Sequence, residues 1–159
     1  MQSPLDPRFA GAQRFQGKVC VITGSGQGIG AATARRLGSE GGIIALADRS
    51  EPGVTRVGEQ LTANGVESMT FIGDLGDWDT CQRLMNEVQA QYGHIDVLVN
   101  NVGGGGSWGS PVVEDTAELV WKEVYEGHVA RQLGLCHQLG DSGEHLDLGL
   151  VNDLEAPHA

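Results

Sequence analysis

Eight residues near the start of the chain restrict its fold more than any other segment. Residues 23–30 read T-G-S-G-Q-G-I-G and follow a short apolar, β-branched run at residues 18–23. After them, apolar residues recur at the spacing of one helix face over residues 28–39. A buried strand that turns through glycines into a helix brings free helix N–H groups to the position where an anion can bind. The segment therefore predicts a nucleotide site at a strand–helix junction.

The rest of the chain alternates between apolar runs and helical patterns. Further strands are predicted at residues 43–47, 66–72 and 95–99, and further helices at residues 51–64, 77–92 and 114–139. Strands that alternate with helices and are apolar throughout favour a parallel sheet with both faces covered. We therefore predict an α/β fold, a Rossmann-like doubly wound parallel sheet of about four to five strands in three α/β/α layers.

Composition excludes several other classes of protein. Glycine supplies 25 of the 159 residues, and nine of these lie within residues 24–30 and 103–109. No G-X-Y period is present and 40% of the residues are hydrophobic, so the chain is neither collagen-like nor a disordered low-complexity segment. The 21 acidic residues outnumber the 10 basic ones, for a net charge of −11. That balance argues against a nucleic-acid partner, which needs clustered Lys and Arg.

The sequence also bears on the cellular compartment. No stretch approaches the roughly 20 apolar residues that span a bilayer, and residues 1–15 lack the apolar core of a signal peptide. Cys20, Cys81 and Cys136 are odd in number, widely spaced and without a C-x-x-C pair, a pattern that fits neither a disulfide framework nor a zinc site. We expect a cytoplasmic protein with no membrane partner.

The first glycine segment has an acidic residue at the expected place. Gly24 permits the tight turn, Gly30 allows close packing of helix and strand, and Asp48 ends the next strand, where it can accept hydrogen bonds from ribose hydroxyls. Two alternatives remain at this point. The segment could be a glycine-rich turn without a ligand, and the same pattern suits an S-adenosylmethionine site.

Three motifs in order resemble the signatures of one family. The segment T-G-x-x-x-G-I-G at residues 23–30, D-L at 74–75 and N-N-V-G at 100–103 are similar to the successive signatures of the short-chain dehydrogenase/reductase family. Their order and spacing match over residues 17–135. Val102 replaces the usual alanine, and N-N-V-G-G resembles the branch that oxidises cyclic dihydrodiols such as dihydroxycyclohexadiene carboxylates. The second and third motifs disfavour the methyltransferase alternative.

The resemblance implies a nicotinamide dinucleotide as the small-molecule partner. The residues that would line the pyrophosphate and approach the nicotinamide belong to the glycine motif: Gly24, Gln27, Gly28, Ile29 and Gly30. Asp74 and Leu75 would hold the adenine, and Asn100, Val102 and Gly103 would flank the adenine ribose and the cofactor cleft. Read from the residues alone, residue 74 could instead cap the helix that follows, and residues 100–101 could form a simple turn.

Asp48 favours NAD over NADP. A carboxylate about 4 Å from a 2′-phosphate costs on the order of 4 kcal/mol at an effective dielectric constant near 20. Arg49 could offset part of this cost by pairing with the phosphate. We therefore expect NAD as the cofactor, with NADP less favoured.

The family's catalytic pair has no counterpart in the sequence. The resemblance implies a serine and a Tyr-x-x-x-Lys motif, but Asp96 lies four residues after Tyr92 and Val129 lies four residues after Tyr125. His128 stands where the family places an asparagine that supports the proton relay, and a substituted helix residue without a role is the favoured interpretation. We therefore assign no catalytic residue.

The end of the chain differs in composition from the rest. Residues 141–159 hold five acids and no Lys or Arg, and residues 148–152 could form one further strand. The irregular spacing of cysteine, histidine and glutamate in residues 136–145 favours a solvated tail over a metal site. We predict an NAD-binding domain at residues 1–140 and an acidic tail at 141–159, in a C-terminally truncated or divergent member of the family.

Two main hypotheses follow. The first is an NAD-dependent oxidoreductase that transfers a hydride at a secondary alcohol, diol or ketone, with its catalytic residues missing from this chain. The second is a non-catalytic dinucleotide-binding module or a truncated fragment. Under either hypothesis, the chain could form a homo-oligomer or assemble with a full-length relative.

Overall fold

A computed structural model describes residues 11–103. Strands and helices alternate along them as β1 Val19–Thr23, α1 Gly28–Ser39, β2 Ile43–Asp48, α2 Glu51–Ala63, β3 Ser68–Ile72, α3 Trp78–Tyr92 and β4 Val97–Val99. The helix predicted at 114–139, the strand at 148–152, the acidic tail and the domain boundary at residue 140 lie outside the described residues. His128, Cys136 and residues 104–109 of the second glycine-rich segment also lie outside them.

The four strands form one parallel sheet in the order β3-β2-β1-β4. The chain runs outward from β1 through β2 to β3 and then crosses back, so that β4 pairs with the other side of β1. This confirms the predicted α/β Rossmann-like fold. In such a sheet, the point where the strand order reverses opens a crevice at the carboxyl ends of the strands.

The core consists of two apolar layers, one on each face of the sheet. Alternate residues of β1 point to opposite faces, as the period of a strand requires. Val19 and Val21 pack with the α3 residues Leu84 and Val88. On the other face, Cys20, Ile22 and their neighbours pack with α1 and α2. The helices therefore cover both faces, which is why β1 reads as a continuous apolar run.

The outer strands are less buried than their apolar sequences predict. β1 is fully buried, whereas the three residues of β4 are half-buried. In β3, Thr70 and Ile72 are exposed. The prediction of a buried strand at residues 95–99 therefore holds in part, because Ile95 is buried and Val97–Val99 are half-buried. Among the described strands, β3 and β4 each pair on one side only, while β1 and β2 have a neighbour on both.

Three further findings bear on expectations from the sequence. No helix within residues 11–103 is long and apolar enough to cross a membrane. Cys20 and Cys81 are buried and belong to no disulfide among the described residues, and burial raises the pKa of Cys20 to about 12. The described part of the chain contains no group of three side chains that could ligate a metal ion.

Glu40 is a buried charge at the end of α1 that the sequence analysis missed. Its side chain is 1% exposed and accepts hydrogen bonds from the guanidinium groups of Arg14 and Arg36. These two partners, Arg14 first, lower the pKa of Glu40 from 4.5 to about 2. The cluster ties the segment before β1 to the C-terminal end of α1.

Replacing Glu40 by Gln is expected to lower stability in a pH-dependent way. Because the folded pKa lies below the ordinary value, the charged carboxyl stabilises the fold fully above pH 4.5, and that contribution is lost as the pH falls towards 2. Urea unfolding followed by circular dichroism should give Glu40→Gln a lower midpoint than the wild type at pH 7, with a smaller difference at pH 3. The exposed Glu59, replaced by Gln, is the matched control. A difference that stays constant between these pH values would contradict the prediction.

Candidate functional site

An open cleft of about 420 Å³ lies at the carboxyl ends of the four strands. Each of the four segments that follow a strand contributes to it, because parallel strands end at the same edge of a sheet. The residues that line the cleft are Gly24, Gln27, Gly28, Ile29, Asp48, Arg49, Gly73, Asp74, Leu75, Asn101, Val102 and Gly103.

The cleft brings together most of the residues predicted from the sequence. Of that set, Gly30 and Asn100 do not line it, whereas Gly73 and Asn101, which were not assigned to the site, do. The side-chain oxygen of Asn100 is buried. The motifs at residues 23–30, 74–75 and 100–103, far apart along the chain, therefore meet at one place.

A network of polar contacts joins the loop after β1 to the loop after β4. The Asn101 side-chain amide donates to the carbonyl oxygens of Thr23 and Gly24, each at 3.2 Å. In return, the Thr23 hydroxyl accepts the backbone N–H groups of Asn101 at 2.9 Å and Val102 at 3.1 Å. The same hydroxyl donates to the carbonyl of Val99 at 3.2 Å. Two walls of the cleft are thereby held at a fixed separation.

Two glycines of the first motif are required by the backbone geometry. Gly24 has φ +63°, in the left-handed region that favours glycine. A Cβ atom on Gly30 would lie 2.3 Å from the carbonyl oxygen of Gly24 and 2.7 Å from the amide nitrogen of Asn101. Gly30 therefore serves the close approach of α1 to the turn, and it stands behind the cleft wall.

The N-terminus of α1 faces the cleft without a side-chain cap. Its N-cap residue, Gln27, has extended backbone and makes no capping hydrogen bond, and the first turn contains no acidic residue. The first N–H groups of a helix lack partners within the helix and carry its positive dipole end. Ile29 adds an apolar side chain that is 77% exposed. This wall can accept an anionic group beside an apolar one.

Asp48 lines the cleft beside the glycine turn and is held in place by backbone donors. Its Oδ2 atom accepts the N–H of Gly26 at 2.8 Å, and its Oδ1 atom accepts the N–H of Ser50 at 2.9 Å. A carboxylate oxygen has a second lone pair, so each can also accept a hydroxyl. Arg49, next to it, is exposed and lines the same cleft.

Asp74 and Leu75 form the part of the wall that follows β3. The Oδ1 atom of Asp74 accepts the N–H of Gly76 at 2.9 Å. The alternative that Asp74 caps the next helix is wrong, because Asp77 is the N-cap of α3 and accepts the N–H of Thr80 at 2.9 Å. The hydroxyl and amide of Thr80 lower the pKa of Asp77. The capping carboxylate is thus separate from the one that lines the cleft.

Two residues of the cleft were missed at the sequence level. Asn101 belongs to the N-N pair, and a polar amide directly after a buried strand is a signal for loop bridging that the sequence already contained. Gly73 also lines the cleft, and a Cβ atom there would lie 2.6 Å from the Thr80 methyl group, so the close approach of Thr80 favours glycine. No local pattern predicts that contact, since it depends on how α3 packs.

Comparison with known proteins agrees with this geometry. A family model described as short chain dehydrogenase matches residues 18–137. The chain is 43% identical over 121 residues to 1,6-dihydroxycyclohexa-2,4-diene-1-carboxylate dehydrogenase of Pseudomonas putida, covering 76% of this chain and 39% of that protein. The chain thus spans about two fifths of the length of that relative.

Two solved structures share the fold. A metagenomic short-chain oxidoreductase in complex with NADP has a TM-score of 0.71 and 30% identity, over 80% of this chain and 57% of that one. The NAD⁺-bound xylitol dehydrogenase has a TM-score of 0.73 and 30% identity, over 80% and 48%. The matches confirm the resemblance predicted from the three motifs, including its dihydroxycyclohexadiene carboxylate dehydrogenase branch.

Replacing Asn101 by Ala is expected to loosen the cleft and destabilise the fold. The change removes two side-chain hydrogen bonds, each worth about 1 kcal/mol, so the free energy of unfolding should fall by about 1–2 kcal/mol. Urea unfolding of Asn101→Ala and of Asn86→Ala, an exposed residue of α3, gives the comparison. Equal stability of the two variants would show that the amide does not hold the loops together.

Proposed function

The chain belongs to the short-chain dehydrogenase family, and from that premise we propose that its cleft binds a nicotinamide dinucleotide, NAD in preference to NADP. The proposal covers the cofactor-binding part of an oxidoreductase that acts on a secondary alcohol, diol or ketone. The observation that carries the proposal is the position of the Asp48 carboxylate, which lines the cleft beside the glycine turn and accepts the N–H of Gly26.

The residues of the cleft fit the parts of such a cofactor. The uncapped N-terminus of α1 would take the pyrophosphate, with Gly24, Gln27, Gly28 and Ile29 along it. Asp48 would accept the adenine ribose hydroxyls. The cleft residues that would surround the adenine and its ribose come from the other strand ends: Asp74, Leu75, Val102 and Gly103.

Charge supports the choice of NAD. Asp48 is fixed by Gly26 and Ser50, so it cannot turn away from a 2′-phosphate without breaking two hydrogen bonds. The repulsion at about 4 Å is on the order of 4 kcal/mol at an effective dielectric constant near 20, before solvent screening reduces it. Arg49 lines the same cleft and offsets part of the repulsion that is left after screening. A preference of about tenfold or more for NAD is the expected result.

A bound NAD would supply the acceptor for the hydride that leaves the alcohol carbon, and the protein would orient the cofactor and move the hydroxyl proton. The residues of the cleft bind and orient the cofactor. The sequence contains no Tyr-x-x-x-Lys motif, and loss of a general acid/base alone lowers rates by about 10²- to 10⁴-fold. We therefore propose that this chain binds the dinucleotide without efficient turnover, and that catalysis requires residues beyond those in this sequence.

The family's substrate class follows from the relatives, not from the cleft. The Pseudomonas putida relative is named for a cyclic dihydroxydiene carboxylate. We propose a cyclic diol or another secondary alcohol as the substrate of the complete enzyme.

The cofactor preference is tested by titration. NADH should bind at least about tenfold more tightly than NADPH, and S-adenosylmethionine should not compete. Asp48→Asn should narrow the ratio of the two dissociation constants, while Asp79→Asn, on the exposed surface of α3, should leave it unchanged. Equal dissociation constants for the two dinucleotides in the wild type would refute the preference.

Turnover is tested separately on the same preparation. We expect binding of NADH but no reduction of NAD with a panel of cyclic diols and secondary alcohols. Measurable turnover would overturn the proposal that this chain is catalytically incomplete. Absence of binding together with a broad, non-cooperative thermal transition would instead support a fragment that does not form the site.

A further inference from the structure

Gly26, in the middle of the glycine motif, is held at both of its backbone polar groups by charged side chains. Its N–H donates to Oδ2 of Asp48 at 2.8 Å. Its carbonyl oxygen accepts a hydrogen bond from Nη2 of Arg56 at 3.0 Å. Asp48 ends β2 and Arg56 belongs to α2, so two successive elements each form a hydrogen bond with the same loop residue.

Helix α2 reaches the loop through a glycine. A Cβ atom on Gly53 would lie 3.0 Å from the carbonyl oxygen of Gly26 and 3.2 Å from its Cα atom. Arg56 is three residues after Gly53, and residues at this spacing share one face of a helix. The missing side chain at Gly53 thus lets α2 approach closely enough for the Arg56 guanidinium to reach the loop.

A loop rich in glycine has more conformations available than any other, and a ligand that needs one of them must bear the cost of ordering it. Gly24 and Gly26 lie in the loop between β1 and α1, and Gly28 is the first residue of α1. Hydrogen bonds from charged groups are stronger than those between neutral ones. Two such bonds hold the orientation of the peptide units on both sides of Gly26 before any ligand arrives.

We propose that Arg56 is a positioning residue of the dinucleotide cleft, which holds the glycine loop in its binding conformation through the carbonyl of Gly26. The inference rests on the proposed cofactor function. Arg56 does not line the cleft, so it acts through the loop and does not touch the cofactor. Its effect is therefore equal on NADH and NADPH, in contrast to that of Asp48, which faces the 2′ position.

The test uses the full 159-residue chain and two substitutions of Arg56. Arg56→Met removes the donor and keeps the aliphatic stem, and Arg56→Lys keeps both a donor and the charge. Arg56→Met should weaken NADH and NADPH alike by about three- to tenfold, the range expected for one exposed charge-assisted hydrogen bond. Arg56→Lys should restore most of the affinity.

Arg35→Met is the matched control. Arg35 bridges α1 to α2 through Gln60, with Nε and Nη2 at 3.0 and 2.7 Å from its Oε1 atom. The substitution removes the same charge and a similar interhelix contact without touching Gly26. It should leave the dissociation constant of NADH unchanged even where it lowers the melting temperature.

Amide hydrogen exchange at Gly26 provides a readout without any cofactor. Exchange should be faster in Arg56→Met than in Arg35→Met or the wild type. If Arg56→Met binds NADH like the wild type, or if both methionine variants lose affinity equally, the positioning role is wrong. If the wild type fails to bind NADH, the proposed function is wrong, and the exchange rates alone then test whether Arg56 holds the glycine loop. Unchanged exchange at Gly26 in Arg56→Met overturns that role, and faster exchange supports it.

Discussion

The parallel pairing of β1 with β4 is the constraint on which the cleft depends. It aligns Ile22 with Val99, so the two chains leave the sheet side by side. Asn101 then reaches the carbonyls of Thr23 and Gly24. Without this crossover the two glycine-bearing loops would emerge at different positions along the sheet edge and could not share one cavity.

The polar side chains around the cleft form hydrogen bonds with the backbone of the protein's own loops. Thr23 accepts backbone donors from the β4 loop, and Asp48 and Arg56 hold the two sides of Gly26. Such contacts fix the shape of loops whose glycines would otherwise sample many conformations. The helix N-terminus, by contrast, keeps its backbone donors free of a side-chain cap. Loops held by hydrogen bonds lie beside the uncapped backbone N–H groups of α1, and this arrangement forms a cleft suited to an anionic ligand.

The ion pairs and the cleft lie at opposite ends of the sheet. At the amino ends of the strands, the Lys18 ammonium lies 2.7 Å from the Asp96 carboxylate, whose other oxygen accepts the N–H of Val19. Nearby, Glu40 joins the segment before β1 to α1. The ion pairs that anchor the strands thus lie away from the cleft, and the charged groups at the carboxyl ends are left to shape the loops.

The amino-acid sequence by itself determined the order and type of the elements, the parallel sheet and most of the cleft residues. The elements and the sheet follow from local periods of hydrophobicity. The cleft residues follow from the glycine turn after the first strand and from the resemblance of three motifs to the short-chain dehydrogenase/reductase family. It did not reveal that Asp77, and not Asp74, caps α3, or that β4 is only half-buried. Nor did it show Arg56 at Gly26. The Asp77 cap joins residues 3 positions apart, and the Arg56 contact joins residues 30 positions apart. The burial of β4 depends on neighbouring strands. Only the packing of the folded chain decides these three features.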